Sequence, residues 1–126
     1  IRLSSNRLDS VVVPSDIIII ATSNAWIHYK LILNATFAGT APTFTTHANG
    51  NVSYCAHTSA TTGATGTEIV GGYINNGGSV SINSANSFNF QLGRTLSGVS
   101  DTLTLVAASG TNNANILADM SWFEIV

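Results

Sequence analysis

A chain of 126 residues is long enough to bury one hydrophobic core without disulfide or metal staples, and too short for a second domain. Only 8% of it is charged, against roughly 25% in ordinary soluble domains, so its surface must be covered by the neutral polar groups of 15 Ser, 15 Thr, 13 Asn and 11 Gly. The net charge of −2 and the scattering of Arg2, Arg7, Lys30 and Arg94 argue against nucleic-acid binding, and no apolar run approaches the ~20 residues that span a bilayer as a helix.

Strand signals recur along the whole chain, and no segment keeps a helical apolar period over three turns. Ser10–Pro14 and Ile17–Ala21 are β-branched runs, and the trio Pro14-Ser15-Asp16 is expected to separate them by a turn. In the run Ile17, Ile18, Ile19, Ile20 the side chains fall on both strand faces, and a single sandwich core can take only one. All four are therefore candidates for an oligomer interface, together with the bulky Trp26 and Trp122. From Trp26 to Phe37 the alternation is clear, with Ile27, Tyr29, Leu31, Leu33, Ala35 and Phe37 on one face and His28, Lys30, Asn34 and Thr36 on the other. A strand of that length is expected to bend or bulge.

Gly39-Thr-Ala-Pro42 breaks the chain, and Thr43–His47 with Val52–His57 predicts a hairpin across Asn49-Gly50. Thr58–Thr67 offers no apolar anchor and reads as a flexible or ligand-facing loop. Glu68–Ile74, Ser79–Asn83, Ser87–Leu92, Thr102–Ala107 and Ser121–Val126 bring the total to about eight to ten short strands. The expected fold is all-β, a single jelly-roll-like antiparallel β-sandwich over residues 1–126. Its core should bring Ile27, Tyr29, Leu31, Leu33 and Phe37 against Leu103, Leu105, Phe123 and Ile125.

Chemistry-bearing residues are sparse. No Gly-x-Ser-x-Gly elbow exposes a nucleophile, and no Asp-x-Asp cluster suggests a calcium loop. Cys55-Ala-His57 with His47 would need a further ligand to close a zinc site, and these histidines read first as polar strand ends. Cys55 is alone, so no internal disulfide can form. Two carboxylates would suffice for glycoside cleavage, yet a module of this size suits binding better than a deep catalytic groove. No catalytic residue, metal ligand or cofactor is therefore assigned. What remains is loop chemistry suited to a polyol: the amides of Asn49, Asn51, Asn75, Asn76, Asn112 and Asn113 and the ring of Tyr73. Taken singly, each of these asparagines is better explained as a turn former that tolerates left-handed backbone.

The chain closes on Asp101-Thr102-Leu103-Thr104-Leu105, a small polar loop, and Leu117-Ala118-Asp119-Met120-Ser121-Trp122-Phe123-Glu124-Ile125. This ending resembles the C-terminal domains of phage tail fibres, head fibres and spike-type virion proteins, which finish on a Gly-Thr-Leu-Thr-Leu-like strand, a Ser/Thr/Asn loop and an aromatic strand. Asp101 stands where those sequences often have Gly, and an extra residue lies between Ala118 and Ser121. The resemblance implies a jelly-roll head, similar to TNF/C1q-like heads, that joins three copies around an axis. It further implies a non-enzymatic virion-surface role outside the cell, with itself, other virion proteins and a host glycan or surface protein as partners. A capsid decoration (cement) protein, or a secreted C1q-like or lectin module, would share the same fold physics. The start at Ile1, without Met or a signal-peptide pattern, is expected for the last domain of a longer polypeptide.

Overall fold

The computed structural model describes residues 1–22, 24–38, 42–48, 50–55, 61–62, 65–83, 90–110 and 114–125. Their strands are β1 (Arg2–Leu3), β2 (Val11–Ala21), β3 (Ile27–Leu33), β4 (Phe37–Ala38), β5 (Thr45–Thr46), β6 (Val52–Tyr54), β7 (Thr61–Thr62), β8 (Thr67–Ile74), β9 (Ser79–Asn83), β10 (Leu103–Ser109) and β11 (Ile116–Ile125). No helix occurs among the described residues, and every pairing is antiparallel. The fold is all-β, a β-sandwich as the alternation predicts.

Two sheets, ordered β10-β3-β8 and β11-β2-β9, form the sandwich. The first turns Ile27, Tyr29, Leu31, Leu103 and Ile74 inward, and the second turns Val12, Ile17, Ile19, Ala21 and Ile82 inward; all are buried in one cluster. A third sheet, β1-β6-β5, adds Leu3 and Val52 to the same core. The predicted β5–β6 hairpin is present, with Gly50 at φ +80° in its turn. Within the stretch whose sequence reads as a flexible or ligand-facing loop, the backbone of Thr61–Thr62 pairs with Phe37–Ala38 as the short β4–β7 pair.

The central strand β3 stops at Leu33. Asn34 takes a left-handed φ of +56°, and its side chain bridges to the start of β10, donating to Asp101 Oδ1 at 2.8 Å and accepting from Thr102 N–H at 2.9 Å. Short polar residues tolerate this backbone region better than branched ones, so the bend expected within the long alternating run comes here.

Pro14-Ser15-Asp16 does not make a turn. β2 runs unbroken through it for 11 residues, and the trio instead forms a bulge opposite Ser121, where pairing steps from Met120↔Ile17 to Trp122↔Pro14. Proline has no N–H to give a ladder, and a bulge is one of the few strand positions that tolerates it. The extra residue reverses the inward parity of β2: Val12 and Pro14 are buried before it, Ile17, Ile19 and Ala21 after it.

That register corrects the expected core. Residues directly opposite each other in an antiparallel pair share a face. Trp122 and Glu124 stand opposite Pro14 and Val12 and turn inward, so Phe123 and Ile125, opposite Val13 and Val11, turn outward and are 65% and 63% exposed. Leu33, Phe37 and Leu105 are half-buried rather than central. Ile17 and Ile19 are likewise corrected: fully buried, they belong to the core and cannot serve an oligomer contact.

Candidate functional site

The chain passes from one sandwich sheet to the other three times at one end of the molecule, where the strand ends Ala21, Ile27, Ile74, Ser79, Ser109 and Ile116 lie. Three aromatic side chains meet at this end. Trp26 and His28 share the parity that points away from the core, and Tyr73 stands directly opposite His28 in the β3–β8 register. Tyr73 and His28 stack with ring centroids 4.6 Å apart and planes at 18°, while Trp26 tilts against Tyr73 at 5.9 Å and 59°. Tyr73 is 70% exposed and Trp26 49%. The Trp26 ring lies across Gly110, where an added Cβ would run into the indole. Only glycine lets the ring lie this close to the backbone.

Asn75 and Asn76 are exposed in the turn that follows β8, closed by Gly78 N–H donating to Asn75 O at 2.9 Å with Gly77 at φ +65°. They stand within three residues of Tyr73, so amides and rings share one end of the fold. Asn49, Asn112 and Asn113 lie outside the described residues.

Asn51 is not a displayed loop residue. It is 4% exposed, its amide donates to Glu124 Oε2 at 2.7 Å, and its Oδ1 accepts from the Ser10 hydroxyl at 3.2 Å. These two bonds tie the β1–β2 connection, the start of β6 and β11 together. Glu124 also accepts from Trp122 Nε1–H at 2.8 Å. Burial opposes charge on this carboxylate, but the two hydrogen bonds and the field of His47 outweigh it and hold the group below the ordinary carboxylate range.

Beside Glu124 runs a cleft of about 470 Å³ lined by His47, Met120, Ser121, Trp122, Phe123 and Glu124. It lies along β11, the outermost strand of its sheet among the described residues. His47 stands edge-on to Trp122 at 5.5 Å and 84°, and its Nδ1 is buried with no hydrogen-bond partner. Trp122, expected at an interface, is half-buried and faces this cleft rather than the outer face of its sheet. His57 lies outside the described residues, so the Cys55, His57 and His47 grouping has no geometry to weigh.

The outer face of the β11-β2-β9 sheet carries exposed apolar side chains in two groups, Ile18, Ile20 and Leu117 towards one end and Phe123 and Ile125 towards the other, with Asp16, Asp119 and Ser121 between them. Ile18 and Ile20 are 43% and 39% exposed, and Leu117, Phe123 and Ile125 each exceed 60%. Asp119, opposite Ile18, is the charged residue that β11 turns to this face. Trp26 lies on the opposite side of the sandwich, so it joins the aromatic end and not this face. The sequence held a signal for that placement: Trp26 has the parity of His28 and Lys30, the polar side of β3.

Comparison with protein-family models, with curated proteins and with solved structures returned no match.

Proposed function

We propose that this chain is a non-enzymatic virion-surface module, the head of a phage fibre or spike, that assembles as a homotrimer through the outer face of the β11-β2-β9 sheet and offers its Trp26–Tyr73 end to a host saccharide. One observation carries the reading: the two exposed surfaces differ in chemistry and lie on opposite sides of the sandwich, so one can be covered without hiding the other. The outer sheet face exposes five large apolar side chains along β2 and β11, in two groups separated by Asp16 and Asp119, and clustered apolar exposure marks interaction sites on soluble proteins. The aromatic end supplies what a sugar needs, a ring face for its C–H surface and amides for its hydroxyls, with Asn75 and Asn76 beside Tyr73. The resemblance of the closing strands to fibre and spike heads supports the virion setting. Three copies would add weak sugar contacts as avidity. A cement protein could use the same apolar face but would have no use for the platform.

Light scattering of the full chain at micromolar concentration, paired with a glycan array, tests the proposal. The expected result is a mass of three copies and saccharide binding that Trp26→Ala weakens about tenfold or more. A stable monomer without saccharide binding would reject it.

A further inference from the structure

The hairpin between Gly93 and Asp101 is built to hold a leucine in solvent. Thr95 N–H donates to Val99 O at 2.8 Å, Gly98 N–H returns to Thr95 O at 3.0 Å, and the Thr95 hydroxyl accepts from Val99 N–H at 3.1 Å. At its base, Asp101 N–H donates to Gly93 O at 2.8 Å and its carboxylate accepts from Gly93 N–H at 3.0 Å and from Asn34 Nδ2 at 2.8 Å. At the tip Leu96 is fully exposed, with Val99 62% exposed beside it. A single exposed leucine needs no explanation. One raised on a turn closed by several hydrogen bonds is pre-organised, and loses little conformational freedom when it docks.

Val12 fixes where this hairpin stands. It pairs with Glu124 of β11 on one side and with Leu92 on the other, since a strand residue has one neighbour at each edge. The hairpin that follows Leu92 and the cleft along Met120–Glu124 therefore lie on opposite flanks of one sheet. With the outer face of that sheet turned to a rotation axis, one flank of each copy meets the opposite flank of the next, as a heterologous contact in a closed ring requires.

We infer that the Leu96 hairpin of one copy docks in the His47–Trp122–Glu124 cleft of the next. Met120, Trp122 and Phe123 give the cleft an apolar wall for Leu96 and Val99. Charge matches as well. Arg94 is the exposed one of the four basic residues, whereas Lys30 is paired with Glu68 at 2.8 Å and the Arg2 guanidinium lies over the Phe44 ring at 4.0 Å. Glu124 brings a carboxylate to the receiving side. Phe123 belongs both to the cleft and to the apolar outer face, so the contact is continuous with the proposed trimer face. The inference rests on the self-association reading and adds to it which surfaces meet.

Cross-linking between two variants of the full chain tests it. Leu96→Cys and Ser121→Cys, each in a Cys55→Ser background, should form a one-to-one disulfide pair when mixed and oxidised, and neither should cross-link alone. Separately, Leu96→Asp should weaken association in sedimentation by about thirty-fold or more, the effect of a buried anchor, with the circular dichroism spectrum unchanged. Wild-type association strength in Leu96→Asp, with no mixed cross-link, would overturn the docking contact while leaving the trimer face standing. A wild-type chain that stays monomeric would overturn both.

Discussion

His28 and Tyr73 stand opposite each other on β3 and β8, and their rings stack 4.6 Å apart. The stack covers one face of Tyr73 and fixes the ring's angle, while Trp26 leans in at 59° to complete a two-sided aromatic surface. Tyr73→Ala and Trp26→Ala should each reduce saccharide binding about tenfold or more; Tyr73→Ala should change stability by under about 1 kcal/mol, because this residue is 70% exposed, and Trp26→Ala, at 49%, by about 1–2 kcal/mol. Glycan-array titration and urea unfolding of the same variants check this. Gly110→Ala, which touches no ligand, should also weaken binding by displacing the indole.

Two adjacent isoleucines should behave oppositely. Ile19 is fully buried, so Ile19→Ala should cost roughly 2–5 kcal/mol in urea unfolding. Ile18 is 43% exposed on the outer face, so Ile18→Ala should cost about 1 kcal/mol at most and instead lower the self-association constant. Equal losses of stability at the two positions would contradict the register of β2.

Leu31 sits at the centre of β3, fully buried between Leu105 and Val70. Leu31→Ala should destabilise by roughly 2–5 kcal/mol, as large-to-small core changes do. A loss below about half a kcal/mol would place it on the surface.

Glu124 predicts an acid limb to stability. Its pKa in the folded chain is lowered from 4.5, with burial working against charge and the Trp122 and Asn51 hydrogen bonds prevailing. A carboxyl depressed on folding contributes stability that is complete above its unfolded value and disappears as pH falls through the folded one. The part of the stability that Glu124 contributes should therefore be complete above its unfolded value and lost in the acid range below it, and Glu124→Gln should flatten part of that acid fall in the urea midpoint. An identical acid limb in the variant would remove Glu124 from the account.

Much of the sandwich was legible from local chemistry. The alternation from Ile27 to Leu33 identifies the central strand and its inward face because a pleated strand repeats every second residue. Asn49-Gly50 marks the β5–β6 hairpin because few residues accept its backbone. Composition likewise announced an all-β chain with a neutral surface. The platform was only half legible: Tyr73, Asn75 and Asn76 could be named, but their meeting with Trp26 and His28 depends on two strands, far apart in the chain, pairing in one register.

Tertiary structure decided what alternation leaves ambiguous. β11 carries apolar residues at both parities, Ile116, Met120 and Trp122 against Leu117, Phe123 and Ile125, so its pattern alone cannot choose an inward face. β2 makes that choice, and the bulge at Ser15–Asp16, read locally as a turn, reverses its parity. Asn51 shows the same limit, since its amide is a loop group until Ser10 and Glu124, distant in sequence, enclose it. Local propensity sets which segments become strands; which face is buried, and which polar group is spent internally, follows from long-range pairing that no short window of sequence contains.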